Sequence, residues 1–307
     1  MPRYPQSNLA ACMIPWTTDF QLDSHNFDRH ISSVIDSGYQ CLYVMGTAGE
    51  GYALGDRQFQ EVVEVFADKT VGRDLAPQVG VISLSMQTVI DRIAWCHGRG
   101  IHMFQISLPS WGALDDKEIM LFFQTVCGEF PDCQFLHYNL LRARRILTGK
   151  DYRRIADVVP NLVATKNSTS DYARTADLLE HAPDLQHFLL ESNFALGCTR
   201  GECSLLCSLG VLCPELAMRF FHAGVERDLP QLFRITEVFR RLGKRMFTHC
   251  SRKMIDGAFD KALVHLRNPA FPTRLLPPYL SMNEEELQGC REAYQDWRTS
   301  VDASVQC

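Results

Sequence analysis

Several features that would assign a role at once are missing. No apolar run in the 307 residues approaches the ~18 of a membrane span. The opening Met1-Pro2-Arg3-Tyr4-Pro5-Gln6 lacks a long apolar segment of secretory type, so a cytoplasmic location is expected. Positive charge is not in surplus: 31 Lys and Arg stand against 36 Asp and Glu, a net charge of −5. That argues against nucleic acid or an anionic membrane as a general partner. The twelve cysteines include no C-x-x-C pair. Their densest cluster, Cys198 to Cys213, is spaced x4, x3, x5 and matches neither a zinc site nor an iron–sulfur pattern. Buried, reduced thiols without disulfides are therefore expected, and no metal ligands. Fixed-period repeats, low-complexity stretches and flexible linkers are absent too.

What is present reads as an ordinary globular chain, 46% hydrophobic and 22% charged. Eight short apolar runs have the look of strands buried on both faces: 10–15, 41–45, 78–83, 103–107, 134–138, 162–166, 187–191 and 202–208. Helical patterns fall between them, two of them closed by Gly38 and Gly100. Alternating strands and helices imply parallel pairing, and eight units point to a closed (β/α)8 TIM barrel. A doubly wound open sheet is the alternative. After Pro214 only helical patterns remain. The expected division is a barrel over residues 1–225 and a helical appendage, packed on it, over 226–307.

Barrel chemistry sits at the C-terminal ends of strands, and three strand ends carry suggestive groups. The second runs into Gly46-Thr47-Ala48-Gly49-Glu50-Gly51, either a plain turn or an anion cradle of backbone N–H groups. It is neither a G-x-G-x-x-G fingerprint nor a P-loop. The fifth strand ends His137-Tyr138-Asn139. Tyr138 can move a proton, while His137 points to the opposite face by alternation and reads as structural. The sixth closes on Lys166 after Leu162-Val163-Ala164-Thr165. A lysine partly desolvated there has a depressed pKa and a lone pair free to attack a ketone; a lysine snorkelling out of the strand end is the bland alternative.

In this order the three segments resemble the dihydrodipicolinate synthase / N-acetylneuraminate lyase family of class I, pyruvate-type aldolases. The 28-residue separation of Tyr138 and Lys166 and a late Gly201-Glu202-Cys203-Ser204 are similar to that family as well. The resemblance implies that Lys166 forms a Schiff base with a 2-oxo acid, that Tyr138 moves protons, and that Thr47 adds a hydroxyl to the relay. It implies a carboxylate site on the loop backbone from Gly46 to Ala48, and a Cys203 carbonyl near the nucleophile. It further implies a homotetramer built as a dimer of dimers. Iminium chemistry of this kind needs no metal or organic cofactor.

Departures from the family pattern fall on the second-substrate side. Ala48 stands where a second hydroxyl residue is usual. Ser107-Leu108-Pro109-Ser110-Trp111-Gly112 lacks the synthases' tyrosine pair, so Trp111 is a candidate aromatic wall, with interface packing as its alternative. The arginines of Leu140-Leu141-Arg142-Ala143-Arg144-Arg145 are shifted, leaving Arg142 as a candidate substrate contact. Glu191 replaces part of a Gly-Asp and either contacts substrate or caps its loop. A sibling of the lysine-pathway synthase is therefore expected: an aldolase, a hydratase–aldolase for aromatic-substituted oxo acids, or a dehydratase of keto-deoxy sugar acids. A non-catalytic or regulatory 2-oxo-acid-binding homologue and an unrelated barrel enzyme are the alternatives.

Overall fold

The computed structural model describes residues 2–248, 250 and 252–300. Eight parallel strands close in chain order into one barrel. They are β1 (Asn8–Cys12), β2 (Cys41–Val44), β3 (Ala76–Gly80), β4 (Met103–Ile106), β5 (Gln134–Asn139), β6 (Leu162–Asn167), β7 (Gln186–Leu190) and β8 (Ser204–Leu206). Leu9 of β1 pairs with Leu206 of β8, and that closure removes the open-sheet alternative. The strands alternate with α1 (Ser24–Asp36), α2 (Asp56–Thr70), α3 (Met86–His97), α4 (Asp116–Gly128), α5 (Gly149–Ala156), α6 (Tyr172–His181), α7 (Glu191–Cys198) and α8 (Pro214–Glu226). Then come α9 (Leu229–Phe247), α10 (Asp256–Arg267) and α11 (Glu284–Ser300). Residues 301–307, part of the expected appendage, lie outside the described residues.

Every residue of β2, β4, β6 and β8 is buried, as strands covered by helices outside and side chains inside must be. Helix starts are set by side-chain caps: Ser85, Asp115, Thr148 and Asp171 each accept from first-turn N–H groups. Gly38 and Gly100 follow α1 and α3 with φ of 89° and 81°, a backbone conformation that suits glycine.

The interior is closed from its N-terminal end. Tyr4 packs there with Leu9, Cys41, Met103 and Phe188, and its hydroxyl accepts from Gln78 at 3.2 Å. Gln105 in turn donates to Gln78 at 3.0 Å. The C-terminal mouth is open, and α10 leans over it. A Cβ on Gly257 would come within 2.9 Å of the Ala48 carbonyl, so helix and loop touch backbone to backbone.

Ten cysteines are free thiols, nine of them buried. Cys213 is disulfide-bonded, which corrects the expectation of thiols throughout. Cys307 lies outside the described residues. Among the described residues no helix is long and apolar enough to cross a membrane.

Candidate active site

The candidate site is the floor of a cavity of about 350 Å³ at the barrel mouth. Lys166 is the fifth residue of β6, buried, and in register with Tyr138 on β5. Ala164 lies beneath it in the interior cluster. Leu162, which strict alternation would put on that face too, belongs instead to the helix-side cluster, because the β5–β6 register skips a residue between the two. The Lys166 Nζ donates to the Tyr43 hydroxyl at 2.9 Å. It sits 4.2 Å from the Tyr43 ring centre and 4.1 Å from that of Tyr138. No ion pair joins it to a carboxylate among the described residues. Burial pushes its pKa down to about 7, partly opposed by the more distant charges of Asp260 and Asp256.

Tyr138 is buried, which raises its pKa; hydrogen bonds with Ser168 and Thr47 pull the other way. Ser168 donates to the Tyr138 hydroxyl at 3.4 Å. Neighbouring Asn139 is a brace: its side chain bonds the backbone of Leu147 through both amide atoms, at 2.9 and 3.0 Å, and so pins the loop that follows β5. His137 points outward as expected and bonds Tyr152 at 2.7 Å.

The loop after β2 is tightly determined. Met45 and Glu50 take φ of 64° and 55°. A Cβ on Gly46 would lie 2.7 Å from the Tyr43 ring and 3.4 Å from the Lys166 Nζ, so glycine lets the backbone pass directly over the amine. The turn closes through bonds from Glu50 N to the Thr47 carbonyl at 3.1 Å and from Gly51 N to the Gly46 carbonyl at 3.2 Å. Glu50 is the anchor. Fully buried, its carboxylate accepts from Trp16 Nε1 at 2.9 Å and Leu276 N at 2.6 Å, and it pairs with Lys261.

The mouth differs from expectation. Arg142, on a short 3-10 turn Leu141–Ala143, lines the cavity but is held by both oxygens of Asp256, at 2.9 and 3.3 Å. Asp260, one turn further along α10, is buried on the same wall. Burial, with Asp256 and Glu191 nearby, pushes its pKa up to about 8. Neither aspartate is marked by the sequence pattern, since nothing in a helix of the appendage says that its face docks over the barrel. Tyr43 also escapes: inside the apolar Cys41-Leu42-Tyr43-Val44 it reads as core.

Three expected contacts move. Cys203 precedes β8 at the N-terminal end of the barrel, where its carbonyl accepts from Gln6 at 2.9 Å. It is the residues at the other end of β8, Leu206 and Cys207, that line the cavity. Trp111 is 83% exposed and lines no part of the cavity in the single chain, because its loop extends outward from the rim. Glu191, first in α7, accepts from Ser208 N at 3.3 Å and borders an adjoining hollow rather than the cavity itself. Thr47 hydrogen-bonds Tyr138 beside Lys166; Ala48 and Arg142 line the cavity with Tyr138 and Lys166.

Barrel and site define a class, the class I aldolase type of lyase. The chain belongs to the dihydrodipicolinate synthetase family, whose model matches residues 5–294. Similar proteins include a 4-hydroxy-tetrahydrodipicolinate synthase of Laribacter hongkongensis, 23% identical over 83% of this chain and 87% of that protein. N-acetylneuraminate lyase 2 of Escherichia coli is 21% identical over 58% of each chain. Among solved structures, YagE, a prophage protein of the same family from E. coli K12 determined with pyruvate, superposes with a TM-score of 0.86. Its sequence identity is 16%, covering 95% of this chain and 98% of that one.

Proposed function

We propose that the protein is a Schiff-base-forming lyase acting on pyruvate or a related 2-oxo acid, with a second-substrate side unlike that of the dihydrodipicolinate synthases. The observation that carries this is the Lys166 amine, buried without an ion-pair partner among the described residues at the floor of an open cavity and held between two tyrosine rings. With a pKa near 7, a large share of it is unprotonated at neutral pH. It attacks C2 of the oxo acid, water leaves, and the iminium stabilises a carbanion at C3 as an enamine. Tyr138, bonded to Thr47 and Ser168, carries the protons of the carbinolamine step. Backbone N–H groups of Thr47 and Ala48 receive the carboxylate at a loop already bent for it.

The rim favours a hydroxylated second part over one with a carboxylate beside the reacting carbons. Arg142 is occupied by Asp256, and Asp260 stands next to it. Arg267, at the far end of the cavity, donates to the Ser37 hydroxyl and the Val211 carbonyl and among the described lining residues is a second cation, placed for a distal anion. This supports cleavage of a hydroxy-oxo acid or dehydration of a keto-deoxy sugar acid. A cytoplasmic homotetramer fits the family resemblance, and the exposed Leu84, Trp111 and Leu141 on neighbouring rim loops supply apolar surface for it. Light scattering of the purified chain reads the assembly state.

The test is to incubate the protein with pyruvate and a panel of larger 2-oxo acids, reduce with borohydride, and map adducts by peptide mass spectrometry. An adduct on Lys166, absent from Lys166→Ala, is expected. A panel that leaves Lys166 unmodified overturns the reading. Trapping without turnover of any panel member points to the non-catalytic homologue.

A further inference from the structure

The end of the barrel opposite the cavity holds a second constellation. His97 is the last residue of α3, His102 immediately precedes β4, and Asp132 and Cys133 immediately precede β5. Each offers one ligand atom, and these four atoms lie within 4.8 Å of one another. The geometry points to a divalent-metal site of zinc type, built from His97, His102, Asp132 and Cys133 at the N-terminal end of the barrel.

The donor set is two imidazoles, a carboxylate and a thiol, the mixture that suits a borderline-soft ion in four-coordinate geometry. Metal–ligand bonds of about 2.0–2.3 Å put tetrahedral ligands roughly 3.3–3.8 Å apart. The widest separations therefore need to close by an ångström or so, within the rotamer freedom of the exposed His102 and Asp132. Two neighbours are already in contact: His97 Nε2 and Asp132 Oδ2 share a 2.7 Å hydrogen bond, which a bound ion would replace by opening the pair to about 3.3 Å, and the His97 and His102 rings meet edge to face with centres 4.9 Å apart. The spacing His97-x4-His102 falls inside the x3–x5 interval common in zinc sites. Along the sequence that pair stands 30 residues before Asp132-Cys133, which hides the set; the barrel brings the two loops side by side. Gln134 N donates to the His102 carbonyl at 2.8 Å, tying them.

Burial distinguishes a site from a surface ion pair. Cys133 is wholly buried and forms the floor, His97 is half-buried, and His102 and Asp132 stand exposed at the edge. The result is a cup with a sulfur at its base and an open side for entry. A His97–Asp132 ion pair alone has no use for the thiol. Placed at the N-terminal end, away from Lys166, the ion acts on stability by clamping the loop before β4 to the loop before β5.

The test uses the full-length protein, stripped with a chelator, dialysed, and titrated with Zn²⁺ and with Co²⁺. One equivalent per chain is expected, with tetrahedral Co²⁺ bands in the visible and a sulfur-to-cobalt charge-transfer band in the near ultraviolet. Zn²⁺ is expected to raise Tm by several degrees. His102→Ala and Asp132→Asn should each weaken binding at least tenfold while trapping at Lys166 is unchanged. Cys133→Ser should abolish the charge-transfer band, and Cys250→Ser, at a partly exposed thiol elsewhere, should leave it intact. No retained metal, a Co²⁺ spectrum without the sulfur band, or equal binding in His102→Ala and Asp132→Asn would overturn the proposal.

Discussion

Lys166 and Lys261 are both buried amines, and burial lowers both below the usual lysine range, to about 7 and about 8. Their partners set them apart. Lys261 faces the Glu50 carboxylate and donates to the Arg274 carbonyl at 2.6 Å; it bridges α10 to the loop after β2 and does not line the cavity. Lys166 meets one phenol hydroxyl and two ring faces. The difference teaches that desolvation lowers a lysine's pKa, but the partner decides what the amine is for. A carboxylate keeps the proton in place and turns the amine into a strut. A phenol and two aromatic faces leave a lone pair to be used.

Exchanging features between the two lysines breaks or sharpens that contrast. The largest effect is expected at the nucleophile. Lys166→Arg keeps a cation but removes the reactive amine, so turnover should fall about 10⁴-fold or more with Tm nearly unchanged. Lys261→Met should still give the reduced adduct on Lys166. Next comes the strut. Glu50→Gln leaves Lys261 buried without its counter-charge and should destabilise by about 3–5 kcal/mol. The expected fall in Tm is on the order of 10 °C by calorimetry. Combining it with Lys261→Met should recover part of that, since no uncompensated charge remains.

Smaller effects follow around Lys166. Tyr138→Phe removes the proton carrier and should lower kcat by roughly 10²–10³-fold. Tyr43→Phe removes only the hydroxyl that accepts from Nζ. It should slow trapping about tenfold and move its pH midpoint down, because the lost bond favoured the protonated amine. Asp260→Asn should shift the midpoint least, again toward lower pH, since the carboxylate raises the Lys166 pKa and is itself largely neutral below about 8. A shift upward in that variant would mean that Asp260 does not act on Lys166 through its charge.

How far these features are legible in the sequence follows from where each is encoded. The barrel is visible because buried parallel strands are mostly apolar and helical patterns fall between them, two of them closed by Gly38 and Gly100. Lys166 is visible because a charge closing an apolar strand is an anomaly that local context exposes. Tyr43 is equally close to the chemistry, yet an aromatic inside an apolar strand is indistinguishable from core. Asp256 and Asp260 depend on where α10 docks, a tertiary fact without a local signal. The Gly201-Glu202-Cys203-Ser204 motif points to Cys203 rather than Leu206 and Cys207 because a short motif does not fix how far along β8 the mouth begins. The cluster at His97 is hidden for a related reason, since it joins groups that only the fold makes neighbours.

The most direct measurement is the pH dependence of pyruvate trapping by cyanoborohydride, with the adduct located by peptide mapping at each pH. Adduct on Lys166 alone, rising to half its plateau near pH 7, is the expected result. Below that pH the amine is protonated and silent; above it the rate levels off. Adduct on Lys261, adduct spread over surface lysines, or a rate still climbing toward the ordinary lysine pKa of about 10.4 would contradict the assignment of Lys166 as the unpaired nucleophile.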